Sequence, residues 1–535
     1  MALSLFRKKS PDHLIAEAAM PERQMKRALG PLALTCIGIG AIIGTGIFAL
    51  AGTAAAGEQI EASIWKTPIL NFMQSWMSHA PLVFGRPGAG PAVMVSFVVA
   101  GVACGFAALC YAELASMIPV SGSAYTYSYA TLGEIIAWII GWDLILEYAV
   151  GNMAVAVGWS GYFVRLCGSL FGLKFPVWAV NALDTAKGIV AQGGDALSNY
   201  SSTTIPTVLG YPIALNIPAL LIVAAVTILL IYGIRESART NNAIVITKLA
   251  VVIFVIAFGA FMIHPTNWQP FVPTGIGGVM SGAAIVFFAF IGFDAVSTTA
   301  EETRNPQRDM PIGIIASLII CTILYVLMAA VITGVRKYTI YFGDPAAVAT
   351  AFAAYPWATA LISAGALAGI SSVLLVFQLG QPRIFMAMAR DGLLPRYFAK
   401  IHPRFRTPHI TTIWTGIFVG GVAAVVDIGS LADLTNIGTL FAFILVCLGV
   451  VILRRTDKNR PRPFRVPMTP IFPILGVIFC FVLMLSLPLE TWIRFLVWLA
   501  IGLTIYFLYS VRHSKLRGGE DTGITEDIPP PIVKT

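Results

Sequence analysis

The sequence predicts an all-α polytopic membrane protein: twelve transmembrane helices in two inverted five-helix repeats, with two extra C-terminal spans and both termini cytoplasmic. Three observations carry this. Of the 535 residues, 57% are hydrophobic and only 11% charged, against roughly 25% charged in a soluble domain. Uncharged apolar runs near the ~20 residues a helix needs to cross a bilayer recur along the chain. They are continuous, where a β-barrel would alternate. Finally, the first and sixth runs are both interrupted near their middles, five helices apart, the pattern of paired broken helices in inverted-repeat transporters.

The elements follow in order. A basic tail, 1–31, precedes the first repeat, 32–263, whose spans cover about 32–54, 90–117, 133–165, 212–233 and 242–263. The second repeat, 276–453, has spans at about 276–300, 311–334, 356–388, 409–427 and 432–453. Two further spans lie within 471–510, at about 471–487 and 492–510. The third and eighth are long enough to tilt. Segments 57–88 and 167–211 read as outside insertions. In the first, Trp65, Ile69, Phe72, Met73 and Trp76 recur near helical spacing. That predicts an amphipathic helix, either packed on the outer mouth, the favoured reading, or lying on the outer surface. Residues 511–535 are predicted to be a disordered cytoplasmic tail, polar and Pro-rich from Leu516.

Orientation follows from Lys and Arg. With the N-terminus inside, the inside segments hold 25 of the 35 basic residues and the outside loops six. The net charge of +9 is therefore a topology signal, and nucleic-acid binding is excluded as its cause. No cleavable signal peptide is visible, since the basic tail leads into a full-length span. The seven cysteines form no CxxC, and the scattered histidines offer no metal spacing, so neither metal nor cofactor is predicted. Asn199-Tyr200-Ser201 is a glycosylation sequon by pattern alone.

The first break is "GIGAIIGTGIF", Gly38 to Phe48. Each glycine costs a helix interior about 1 kcal/mol relative to alanine, and a broken backbone in lipid must be satisfied by something else. One reading is close helix packing through small residues. The other is a ligand site, with carbonyls ending one half-helix and free N–H groups, favourable to a carboxylate, opening the next. The sixth span, "GAAIVFFAFIGFDAVSTTAEETRNPQRDMP", with Gly292 and Asp294 near its middle, shifts the balance to a midplane site.

These stretches, with "YAELASMIPVSGSAY" and "GIRESARTNNAIVITKLAVVIF", resemble the amino acid–polyamine–organocation superfamily over about residues 28 to 512. The likeness is strongest to its cationic amino acid transporter branch, in the bacterial twelve-span form. The resemblance implies a LeuT-like fold and transport coupled to protons or to exchange. It implies that the carbonyls of Ile42, Phe288, Ala289 and Ile291 receive a substrate α-ammonium, and that amides near Gly44, Thr45 and Gly46 hold its α-carboxylate. It also places in span five, at Lys248, the embedded lysine of proton-coupled relatives, where sodium-coupled relatives bind an ion.

Lys248 can be weighed without the resemblance. A charged lysine at midplane costs about 2.5–3.5 kcal/mol on the lenient scale, and snorkelling offers only partial escape. Glu147 in span three, one turn beyond Asp143, would pair with a cationic substrate side chain or serve as an internal structural acid. Asp294 reads as a structural pairing at the break. Glu113, Glu301 and Glu302, near the cytoplasmic ends, are expected to form inner-gate ion pairs with Arg304, Arg308 or Arg239. Span eight is expected to line the pocket around Phe377 and Gln378.

The expected function is secondary active transport of L-amino acids across the cell membrane, with protons as coupling ion. Cationic substrates are favoured and small neutral or broad-range transport or exchange is the alternative. A non-transporting sensor would share every binding feature. An enzyme is not expected: no HExxH, GxSxG or His/Cys cluster is present. Few spans show the polar face a channel needs, and no P-loop marks an ATP-driven pump. The sequence leaves open a small membrane subunit or lipid partner besides the bilayer.

Overall fold

The structure is a computed structural model and describes residues 5–12, 15, 27–58, 63–78, 82, 84–120, 124–192, 200–232, 238–400, 402 and 407–518. A helix or broken helix occupies each of the twelve stretches. α1 is Pro31–Ile42 plus Gly46–Ala56, bent by 45°. α2 is Gly90–Met117, α3 Glu134–Phe171, α4 Ile217–Tyr232 and α5 Ala238–Ala260. α6 spans Gly275–Glu302 and α7 Pro306–Val335. α8 is Pro356–Arg390, α9 His409–Ala423, α10 Ile428–Thr456, α11 Ile471–Leu485 and α12 Leu489–His513. Among the described residues, seven of these are long and apolar enough to cross a membrane, or eight when the bent halves of α1 count as one span.

Local chemistry sets several boundaries. α4 starts five residues later than the hydropathy suggests. Tyr211–Pro212 pairs with Thr207–Val208 as a short hairpin, and the Asn216 side chain then accepts from Ala219 N at 3.2 Å, a cap for the first turn. α10 begins four residues early, because Asp427 accepts from Ser430 N at 2.9 Å and caps the helix there.

α3 lies at the centre, packed on α8 and α10, while α1 and α2 pack on α7. The two chain ends meet on one face of the bundle, the tail face. Lys9 pairs with Asp391 at 2.7 Å, and Lys515 N donates to Asp391 O at 3.2 Å. This corrects the expected disorder from residue 511. α12 runs to His513 and a further turn covers Lys515–Gly518, because Ser514 donates to the buried Glu134 carboxylate at 2.5 Å. The remainder of the tail, 519–535, lies outside the described residues, as does Asn199 of the sequon.

The opposite, loop face carries the two insertions. Gly57–Glu58 pairs with Arg86–Pro87 and closes the base of the first. Helix Ile69–Ser78 is present as predicted. Trp65, Met73 and Trp76, however, are 53%, 42% and 81% exposed, while Ile69 and Phe72 are half-buried, so only part of the stripe packs as expected. The segment is also tied through its backbone: Leu489 N donates to Thr67 O at 3.2 Å and Ile69 N to Leu487 O at 3.4 Å.

Candidate functional site

The two breaks face each other. In α1 the helix stops at Ile42, and Ile43 turns extended at φ −73°, ψ 105°. In α6 the helical residues end at Phe290 and resume at Asp294, with Gly292 at φ +119°. That backbone is one L side chains rarely adopt. The glycines also let the breaks touch. A Cβ on Gly46 would overlap the Cα of Ala289 and lie 2.8 Å from its amide nitrogen, while one on Gly292 would lie 2.8 Å from Ala41 O. Each broken helix thus presents a bare backbone to the other.

Breaking a helix inside an apolar bundle strands carbonyls, and side chains from α5, α7 and α10 reach them. Lys248, fully buried in α5, donates from Nζ to Gly40 O and, at 3.0 Å, to Ile43 O. Tyr325 of α7 places its hydroxyl 2.8 Å from Ile42 O and 2.9 Å from Ala289 O. On α6, Asn436 Nδ2 donates to Ala284 O at 2.7 Å. Phe288 O accepts from Ile291 N at 3.2 Å. Thr45, at the start of the second half of α1, is 1% exposed, and its hydroxyl has no hydrogen-bond partner among the described residues.

The structure therefore brings together Ile42, Gly44, Thr45, Gly46, Phe288, Ala289 and Ile291 at one junction, with Lys248 against its α1 side. Asp294 caps the α6 break, accepting from Gly292 N at 3.3 Å. Glu147 is 3% exposed, beside Thr439 and within electrostatic reach of Asp294 and Asp143. Both oxygens of the buried Asp143 lack a hydrogen-bond partner among the described residues. Phe377 is buried on α8, edge-on to Tyr148 at 5.4 Å. Gln378 is instead taken up by Asn152 and by Thr227, 3.1 Å away.

The acids expected near the cytoplasmic ends divide. Glu113 pairs with Arg454, Oε2 to Nη2 at 2.6 Å, and accepts from Val466 N at 2.7 Å. Arg462 lies 3.5 Å away. The expected partner set is thus replaced, because the end of α2 faces α10 and the loop beyond it. Glu302 meets the chain through its carbonyl, which accepts from Ala28 N and Leu29 N at 2.9 and 3.0 Å. Arg304 N donates to Leu29 O at 2.9 Å, and Glu301 is half-buried on the same turn. The side chain of Arg239 lies outside the described residues.

Sequence reasoning missed a second ion pair. Arg86, counted as a loop charge, is buried, paired with Asp433 of α10, and hydrogen-bonded to Ser281 of α6 at 3.3 Å. The residues of α1 from Gly46 to Ala56 are all buried on this loop-face side, whereas Cys36, Ile37, Gly40 and Ala41 on the tail-face side keep partial exposure. The signal lay in a lone arginine just ahead of an apolar span, but hydropathy has no means of pairing it with an aspartate 347 positions away.

An apolar helical bundle with two opposed helix breaks, their backbone groups turned toward one junction, belongs to the class of membrane permeases. Residues 29–507 match the amino acid permease family, and the chain belongs to it. The branched-chain amino acid permease BcaP of Bacillus subtilis is 47% identical over 96% of this chain and 99% of its own length. The methylthioribose transporter of the same organism is 41% identical with the same coverage. The vacuolar cationic amino acid transporter 4 of Arabidopsis thaliana is 37% identical over 84% of this chain and 67% of its own length.

Proposed function

We propose that the protein is a proton-coupled secondary transporter of L-amino acids in the plasma membrane, with branched-chain aliphatic substrates preferred. Twelve spans in two inverted repeats hold the substrate between α1 and α6, and the tail face is cytoplasmic. The observation that carries the reading is the junction of the two breaks, where the Thr45 hydroxyl, unpartnered among the described residues, stands at a half-helix start and carbonyls converge from both helices. That arrangement suits an α-carboxylate on one side and an α-ammonium on the other. The similarity to BcaP favours the branched-chain side chain. Lys248 is the coupling group, while Arg86 with Asp433 closes the outer side.

A second reading, cationic substrates, is favoured by Glu147, Asp294 and Asp143, three neighbouring buried acids that a guanidinium or ammonium would neutralise. Competition binding on purified protein separates the two. The branched-chain reading expects L-isoleucine to displace better than L-arginine, and Glu147→Gln to affect both alike. A loss confined to arginine, about ten- to a hundredfold for one charge-assisted hydrogen bond, would instead establish the cationic reading.

A further inference from the structure

Among the described residues, Tyr325 is the one whose side chain hydrogen-bonds to both breaks. It is fully buried, and its ring is fixed by Phe97 and Phe290, each with its centroid 5.4 Å away. Its hydroxyl is nearly equidistant from Ile42 O on α1 and Ala289 O on α6. A phenol has one proton to donate. At any instant it serves one of these carbonyls, and the other faces the phenol oxygen with no hydrogen between them. Lys248 differs, because its ammonium has a proton for each carbonyl it reaches.

We propose that Tyr325 is a positioning residue for the substrate's α-ammonium. Its shared proton draws two carbonyls from different helices onto one point and leaves that point one donor short. An ammonium brings three donors. It can supply the missing one and donate a second to the phenol oxygen, so that both carbonyls have a donor at once only when substrate is present. A hydroxyl in place of the ammonium brings a single donor and cannot do both. The inference rests on the amino acid reading of the same junction. A simple brace between helices would treat all ligands alike, and the ligand's own head group therefore distinguishes the two.

The test compares the full-length protein and Tyr325→Phe in nanodiscs, titrated with L-isoleucine and with its 2-hydroxy acid analogue, which has the same skeleton but no ammonium. If L-arginine is the better ligand, it and its 2-hydroxy analogue take their place. Tyr325→Phe is expected to weaken the amino acid about tenfold, the factor for one hydrogen bond to a charged group, and to change hydroxy acid binding less than about twofold. Parallel losses, or none, overturn the proposal. Site-specific 3-fluorotyrosine at position 325 keeps the hydroxyl and serves as a second measurement. Its fluorine resonance is expected to shift at saturating amino acid, and an unmoved resonance counts against the role. Wild-type protein that binds neither amino acid overturns the substrate reading itself, whereas normal wild-type binding with an unaffected variant removes Tyr325 alone.

Discussion

Replacing Lys248 with methionine is expected to abolish accumulation driven by a pH gradient while leaving counterflow measurable. Methionine is an unbranched chain that fills irregular space in a packed core, so packing around α5 is largely kept. It cannot donate, however, to Gly40 O and Ile43 O, which the lysine now satisfies. The buried Ile43 carbonyl left without a donor costs about 1–3 kcal/mol, and a lower melting temperature accompanies the functional loss. Proteoliposome uptake of labelled L-isoleucine, run once with an imposed gradient and once as counterflow, checks both halves. Undiminished gradient-driven accumulation would show that the lysine only caps the break.

The second large effect is at Gly46. A leucine there is expected to remove substrate binding, and an alanine to remove most of it, because the first added carbon already overlaps Ala289. Overpacking of this kind costs typically about 1–3 kcal/mol, and the separation it forces on the two breaks is what the binding site cannot tolerate. Gly44 provides the contrast. An added Cβ there meets a methyl of Val373 at 3.0 Å, a side chain that can shift, so Gly44→Ala is expected to retain binding within several-fold of wild type. Isothermal titration with L-isoleucine reads both variants. Equal behaviour of the two alanine variants would contradict the backbone-contact account of Gly46.

The elements and the breaks were legible in the sequence because each has a local signature. An apolar run of span length announces itself without partners, and so does a cluster of glycines where a helix should continue. Lys248 was legible for a related reason: an ammonium in an apolar run is costly enough to need a purpose. Tyr325 and Asn436 were not, since a tyrosine or an asparagine on an apolar helix carries no mark of what its polar tip will reach. Arg86 and Asp433 show the same limit across 347 positions. Glu113 was placed at the correct end of α2 but given the wrong arginines, because charge counting orders loops by face and says nothing about which helix ends adjoin. The stripe of Trp65, Met73 and Trp76 had helical spacing, and spacing alone does not say which way the apolar side of a surface helix turns.

The claim that the two breaks form a proton-coupled amino acid site is tested most directly by uptake into proteoliposomes holding the purified wild-type chain. An inside-alkaline gradient is imposed and labelled L-isoleucine is followed over time. The account predicts transient accumulation above the external concentration, abolished by a protonophore and competed by excess unlabelled amino acid. Uptake that only equilibrates, at the same rate and extent with and without the gradient, would contradict it.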